Sequence, residues 1–256
     1  MIKTQIDYSG FTVFYSKGTS IVERYKRDGV YEPEVLLATE RLLQGVVAPV
    51  ILDIGANIGF FSLPILKKFP KAKIYAFEPG PHQFNLFSET IKWNNLKANI
   101  SLEEIALSYY DGFSQFRIHH HSDASGDGFV DTNRAGKTKK IKVKTCTLDT
   151  WEFQSFKENQ VHLVKMDTEG AEYWILKGGN TFFSTYKPTV IIEIHHLNIK
   201  NFPFEIEDLL DSIAKLGYLI CHLDGKLIDT VQISNELKET DTFLLIHREK
   251  LNTVHL

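Results

Sequence analysis

Val50-Ile-Leu-Asp-Ile-Gly-Ala-Asn-Ile-Gly59 is the stretch from which the rest of the chain can be read. Apolar residues run into Asp53, and Gly55 and Gly59 then bracket a tight turn. An apolar run bounded by glycines predicts a buried strand entering a turn. Residues 60–69 predict a helix. Strand, glycine turn and helix make the first unit of an open α/β sheet, and in such sheets ligands bind beyond the carboxyl ends of the strands. Asp53 stands near the end of this strand, so its carboxylate is expected to point into that crevice.

The glycine spacing separates two classes of cofactor. A dinucleotide fingerprint reads G-x-G-x-x-G and sets a pyrophosphate on the helix N-terminus. Here the turn reads G-A-N-I-G, with an acid two residues before the first glycine. That acid would repel a pyrophosphate and suit a cation. S-adenosylmethionine carries a sulfonium and an ammonium and no phosphate, so it is the expected cofactor. The plainer reading is an ordinary strand–helix turn with an Asp cap.

Working outward, Phe11–Tyr15 reads as a strand of an N-terminal hairpin, and Tyr31-Glu-Pro-Glu34 opens a helix to about Leu43, with Pro33 in its first turn. Tyr31 and Glu32 then lie just before the central strand, placed either to cover the methionine end of the cofactor or simply to cap and pack the helix. Lys73–Glu78 reads as a second strand ending in an acid, ahead of the turn Pro79-Gly-Pro81. An acid one βα unit after the glycine turn is where nucleoside-binding sheets grip ribose hydroxyls, since a carboxylate accepts two hydrogen bonds and a diol offers two. Ile100–Ala106 reads as a third strand, whose end sets Glu103, Glu104 and Ile105 beside an adenine. Glu104 is the preferred acceptor for the amino group, although a one-residue shift would exchange the faces.

Between Ser108 and Thr147 the alternation breaks. Phe116–His119 and Ile141–Lys144 read as an antiparallel hairpin joined by the polar stretch HHHSDASGDGFVDTNRAGKTKK. Consecutive histidines rarely chelate one ion together, so a solvated loop is expected, acting as a lid over the substrate. Lys137, Lys139 and Lys140 would steer an acidic substrate or form a solvated face. Val161–Asp167 and Val190–His195 read as the fourth and fifth strands, the first running into Asp167-Thr-Glu-Gly170, the second placing Glu193 and His195 on one face. A helix holding Leu209, Leu210, Ile213 and Leu216 and two closing strands, Tyr218–His222 and Thr242–His247, complete the sheet.

Composition sets the bounds. The 256 residues are 43% hydrophobic and 24% charged, with net charge −3, which gives no support for extended nucleic-acid binding. Cys146 and Cys221 lack metal-like spacing and read as reduced thiols. No run is long and apolar enough for a membrane span and no signal-peptide core opens the chain, so the expectation is a cytoplasmic, single-domain protein, monomeric or a homo-oligomer.

Taken in series, YEPE (31–34), ILDIGANIGFFSL (51–63), AFEPGPHQF (76–84), EIALS (104–108), TLDTW (147–151), KMDTEGAEYWILKGG (165–179) and KPTVIIEIH (187–195) resemble the FkbM family of S-adenosylmethionine-dependent methyltransferases. The resemblance implies a Rossmann-like, seven-stranded, mostly parallel sheet in the order 3-2-1-4-5-7-6 with helices on both faces and the last strand antiparallel. It implies that Asp53, Gly55, Asn57 and Gly59 form the cofactor turn, that Glu78, beside Pro79, holds the ribose, and that Asp167 and Glu169 lie at the reaction centre. Its known members methylate hydroxyl groups, often on sugars or polyketide natural products. Pro64 departs from the pattern, because a proline in the first helix makes that helix start late or kink.

For O-methylation the acceptor must also lose a proton. Asp167, Glu169, Glu193 and His195 are the candidate bases; His195 is attractive because its ordinary pKa of about 6.5 leaves it mostly neutral at pH 7, and Asp167 has a second role open to it, holding the cofactor's ammonium. Mg²⁺ or Mn²⁺ among these acids is a further option that the residues do not favour. The alternatives are an N- or nucleic-acid methyltransferase, against which the DTEG sequence counts because it lacks an aromatic–proline base clamp, and a cofactor-binding scaffold without turnover.

Overall fold

The computed structural model describes residues 3–119, 126–132, 138–229 and 232–251. The chain opens with an antiparallel hairpin, β1 (Lys3–Tyr8) and β2 (Phe11–Ser16), followed by helices α1 (Ser20–Asp28) and α2 (Pro33–Leu42). Gly29 ends α1 with φ 75°, a conformation that costs a glycine little. Next come β3 (Val50–Ile54), α3 (Ser62–Lys68), β4 (Lys73–Phe77), α4 (Pro81–Trp93) and β5 (Ile100–Glu103). Pro64 has its predicted effect: α3 begins only at Ser62, so the proline falls in the first turn, where its missing N–H is not needed.

A small second sheet follows, in which β6 (Ala106–Leu107), β7 (Gly112–His119) and β8 (Thr138–Cys146) pair in the order β6-β8-β7. The chain then returns to the main sheet through α5 (Leu148–Ser155), β9 (Leu163–Met166), α6 (Glu172–Gly178), α7 (Asn180–Tyr186), β10 (Thr189–Glu193), α8 (His196–Ile199), α9 (Ile206–Lys215), β11 (Tyr218–Cys221) and β12 (Thr242–His247). The third and fifth strands of the main sheet are shorter than expected. β5 stops at Glu103, and Ala106 belongs to the second sheet; β10 stops at Glu193, and His195 precedes α8.

The main sheet has seven strands in the order β11-β12-β10-β9-β3-β4-β5. Counted in chain order this is 3-2-1-4-5-7-6, with β12 antiparallel to both neighbours and the other pairings parallel. Alternation along the strands divides the core into two. Val50, Leu52 and Ile54 of β3, with Val164 and Met166 of β9, face one cluster that α5, α6, α7 and α9 cover. Ile51 and Leu163 face the other, which the first hairpin and α1 to α4 cover. This second face matters for function, because period-2 alternation also puts Asp53, Lys165 and Glu193 on it. No helix among the described residues is long and apolar enough to cross a membrane.

Candidate active site

β3 and β9 lie side by side at the point where the strand order reverses, so a crevice opens beyond their carboxyl ends. The glycine turn is folded tightly there. Gly55 and Ala56 both donate backbone N–H bonds to the Phe77 carbonyl at 3.0 Å, and Gly59 closes the turn onto the Ala56 carbonyl at 2.9 Å. Gly55 has φ 86°, and a Cβ added to it would stand 1.8 Å from the Asp167 carbonyl oxygen. Only glycine fits, and the fit holds the turn after β3 against the end of β9. Gly59 is needed for a different reason: a Cβ there would meet the Phe87 ring at 2.3 Å.

A cavity of about 430 Å³ opens at this point. Tyr31 and Glu32 form one wall and Gly55-Ala56-Asn57 the floor. Glu78, Pro79 and Ile105 lie to one side, with Lys165, Asp167, Thr168, Glu169 and Glu193 on the other. Three of its residues, Glu32 (φ 46°), Asn57 (φ 50°) and Glu169 (φ 59°), hold left-handed backbone although none is glycine. Such conformations cost on the order of 1–3 kcal/mol and concentrate at functional sites.

Glu78 is buried at the end of β4. Its Oε2 accepts the Asn57 N–H at 2.9 Å and its Oε1 the Gly80 N–H at 2.7 Å. Burial pushes its pKa up to about 8, and those two backbone donors only partly offset the rise. Each oxygen keeps a lone pair for a further donor in the cavity.

The Asp167-Thr168-Glu169-Gly170 turn is organised from behind by Glu172 of α6, which is fully buried. Its Oε1 accepts from the Thr168 N–H (3.1 Å), the Thr168 hydroxyl (2.9 Å) and the Gly170 N–H (3.1 Å). The Asn198 amide donates to Glu169 Oε2 at 3.0 Å. The turn is thereby held with the carboxylates of Asp167 and Glu169 on the cavity.

Two cations brace Asp167. Lys165 Nζ donates to its Oδ2 at 2.9 Å, and His195 Nε2 lies 3.1 Å from its Oδ1. His195 Nδ1 is 3.7 Å from Glu169 Oε2, and its Nε2 is 3.4 Å from Glu193 Oε1. Burial alone would raise the pKa of Asp167, but the Lys165 charge and the His195 contact outweigh it and hold this carboxyl well below the usual range. Burial would lower that of Lys165, but Asp167, Glu32, Asp53 and Glu193 keep it firmly protonated. For His195 the hydrogen bond to Asp167 and the charges of Glu169, Asp167 and Glu193 overcome burial and raise the pKa to about 10. Glu193 moves up to about 9, through burial first and the Asp167 charge second. The cluster therefore pairs an anionic Asp167 with the Lys165 ammonium, while His195 and Glu193 are both pushed toward their protonated forms.

Several expectations need correction. Asp53 does not point into the crevice. Alternation turns it onto the face of Ile51, where it is fully buried, accepts the Ser62 hydroxyl at 2.6 Å and sits in register beside Lys165. Glu104 is exposed and Gly59 is packed on Phe87; neither lines the cavity, whereas Ile105 does. Glu104 misses because β5 ends at Glu103, which turns the next side chain outward. His195 is not the neutral imidazole expected, because three carboxylates surround it. Residues 120–125 and 133–137 of the long loop, His120, His121 and Lys137 among them, lie outside the described residues, and Lys139 and Lys140 belong to β8.

The described part of the loop, residues 126–132, is packed rather than solvated. Gly128 bridges Arg117, and Phe129 meets Phe116 and Trp174 edge-on at 5.7 and 5.3 Å while lining the cavity. Phe129 and Lys165 are among the cavity residues that the sequence reading missed, together with Arg24, Asp127 and Asp241. A lysine inside the apolar run LVKM was the available signal for Lys165, since an unpaired charge is not tolerated there.

The geometry can now be set beside known proteins. A family model described as the methyltransferase FkbM domain matches residues 53–220. Methyltransferase sdnD of Sordaria araneosa is 26% identical over 155 residues, covering 51% of this chain and 60% of that protein. The 2-O-methyltransferase NoeI of Sinorhizobium fredii (strain NBRC 101917 / NGR234) is 28% identical over 171 residues, covering 59% and 67%. The chain thus spans about three fifths of the length of sdnD and two thirds of NoeI. Among solved structures, methyltransferase FkbM from Methylobacillus flagellatus KT aligns with 88% of this chain and 50% of its own, at TM-score 0.52 and 17% identity, a likeness of fold. The family match takes in more than half of the chain, from the glycine turn through the DTEG turn to β11, and the chain belongs to the methyltransferase FkbM domain family.

Proposed function

We propose that the cavity binds S-adenosylmethionine and that the chain transfers its methyl group to a hydroxyl oxygen of a sugar, a glycan or a natural-product small molecule. The observation that carries this reading is the convergence of the glycine turn, Glu78 and the DTEG carboxylates on one cavity. The donor set fits this cofactor better than a phosphate-bearing one. Glu32, Glu78, Asp127, Asp167, Glu169, Glu193 and Asp241 line the cavity against Arg24 and Lys165, a surplus of acids that suits a ligand with a sulfonium and an ammonium. In this reading Glu78 accepts the ribose diol, Pro79 and Ile105 flank the adenine, Gly55 and Asn57 let the ligand approach the backbone, and Tyr31 and Glu32 cover the methionine end.

When bound, the cofactor supplies a methyl group on an already activated sulfur, so the protein's task is chiefly alignment and the management of one proton. Glu193 and His195 are both pushed toward their protonated forms, which makes them poor acceptors of a proton near pH 7. Asp167 is held as a weakly basic anion by its two cations. Of the carboxylates on the turn after β9, Glu169 takes the acceptor's proton, and its left-handed backbone and the Asn198 bond aim it at the cavity. A positioned base of this kind contributes a factor on the order of 10² to 10⁴. Transfer to oxygen rather than nitrogen draws support from NoeI, named for 2-O-methylation.

The test is incubation of purified protein with methyl-labelled S-adenosylmethionine and a panel of sugars, glycans, polyketides and amines. Label on a hydroxyl acceptor supports the reading. Label confined to amines, or cofactor binding with no transfer to any acceptor, overturns it.

A further inference from the structure

Asp167, Glu193 and His195 offer ligand atoms within 4.8 Å of one another, a spacing that a divalent ion can span. Oxygen and imidazole donors of this kind suit Mg²⁺ or Mn²⁺, and such an ion needs their lone pairs free. The cluster here is arranged differently. Lys165 climbs from the middle of β9 on the face it shares with Asp53 and Ile191, and its ammonium ends 2.9 Å from Asp167 Oδ2. The other Asp167 oxygen lies against His195. Both oxygens of the central carboxylate are therefore already engaged, one by the Lys165 ammonium and the other by the His195 ring.

Lys165 is buried and lines the cavity. The acidic side chains set around it come from four elements: Asp53 on β3, Asp167 beyond β9, Glu193 on β10 and Glu32 ahead of α2. Four acids around one ammonium are the surroundings usually built for a metal ion. An ammonium brings three donors. One is spent on Asp167, which leaves donors for an oxygen that enters the cavity beside Glu169.

Resting on the methyl-transfer reading, we infer that Lys165 is the built-in cation of this site: its ammonium stands where a divalent ion would stand, donates to the acceptor oxygen, and makes the reaction independent of metal. In the step itself the acceptor oxygen forms a bond to the methyl carbon. The carbon–sulfur bond breaks with its electron pair going to sulfur, and the hydroxyl proton passes to Glu169. Lys165 gives up no proton. It places positive charge against the oxygen while the O–H bond loosens, and a preorganised donor of this kind is worth about 10²–10³ in turnover.

Two kinds of measurement test this on the full chain. The first is turnover. Wild-type activity should be unchanged by EDTA, and Lys165→Met should lower kcat by about 10²-fold while cofactor affinity by calorimetry stays within about fivefold, with Lys165→Arg recovering part of the loss. Loss of wild-type activity in EDTA with recovery in Mg²⁺ overturns the inference. So does a Lys165→Met protein with normal kcat and weakened cofactor binding, which would make Lys165 an anchor for the cofactor's carboxylate. The second needs no turnover and stands even if no acceptor is found. Mn²⁺ followed by electron paramagnetic resonance should not bind wild-type protein at micromolar concentration and should bind Lys165→Ala, where removing the ammonium takes a positive charge out of the cluster and frees Asp167 Oδ2. Micromolar Mn²⁺ binding by wild type that Asp167→Asn abolishes overturns the inference, whether or not Lys165→Ala folds.

Discussion

If Glu78 holds the ribose as proposed, it couples cofactor binding to a proton. Burial raises its pKa to about 8 in the free chain, in spite of the Asn57 and Gly80 N–H groups already bound to it. A protonated carboxyl cannot accept from both hydroxyls of a ribose diol, so binding at lower pH must first remove that proton. The sign is fixed: affinity rises with pH below about 8 and levels off above it. At pH 6, two units lower, about one site in a hundred is ionised. Affinity there should be up to about 100-fold weaker than the plateau, or about 3 kcal/mol at 1.36 kcal/mol per unit. Calorimetry with S-adenosylhomocysteine at pH 6, 7, 8 and 9, in two buffers of different ionisation enthalpy, would measure both the affinity and the protons released. The ligand's own amino group titrates nearby, so Glu78→Gln is the control: it should bind more weakly at pH 8 and lose the Glu78 share of the pH dependence. Affinity that is flat from pH 6 to 8 in wild type, or a slope that Glu78→Gln leaves untouched, refutes the assignment.

Four further outcomes follow from the same geometry. Gly55→Ala places a Cβ 1.8 Å from the Asp167 carbonyl at φ 86°; it should destabilise the fold by more than about 2 kcal/mol, and an unchanged denaturation midpoint would show that the contact is soft. Asp53→Asn should keep cofactor affinity within about threefold, because the side chain faces Lys165 and Ser62 rather than the cavity, with each tenfold corresponding to about 1.4 kcal/mol; a large loss by calorimetry would restore Asp53 to the binding surface. Glu169→Gln should lower kcat by about 10²–10⁴ with little change in cofactor binding, and near-normal turnover would remove Glu169 as the base. His195 has its pKa raised from 6.5 to about 10, so its contribution to stability is complete below pH 6.5 and is lost as pH rises through about 10. Melting curves of wild type against His195→Ala should therefore converge above pH 10, and a gap that widens there contradicts the assignment.

The seven-strand sheet was legible because each strand is an apolar run closed by a turn residue, and buried parallel strands leave that trace in the sequence. Glu78, Pro79, Asp167, Glu169 and Glu193 were found at the cavity because each stands at or just past a strand end. The errors came from one-residue questions. Whether Asp53 faces forward or sideways depends on whether β3 ends at Asp53 or Ile54, and Glu104 turns on the same question at β5. His195 was read by its ordinary pKa, which holds only for a histidine that no carboxylates surround. Lys165 was hidden by type, since a lysine within a core strand reads as an exception until Asp53, Asp167, Glu32 and Glu193 are seen around it. Phe129 was hidden because a glycine-rich polar stretch gives no sign that one ring in it will find Phe116 and Trp174.

The seat of Gly55 against the Asp167 carbonyl also limits how this scaffold can be re-engineered. The glycine turn after β3 and the turn after β9 touch backbone to backbone, so neither can be redrawn without displacing the other. Anyone seeking a different acceptor has little to gain from editing β3, β9 or the turn between Asp167 and Gly170. The adjustable parts are those that reach the cavity from outside the main sheet: Ser20 and Arg24 on α1, Phe116 on β7, and Asp127 and Phe129 in the segment after it. Libraries confined to these positions would vary the mouth while the distance from donor to base stayed as the backbone sets it.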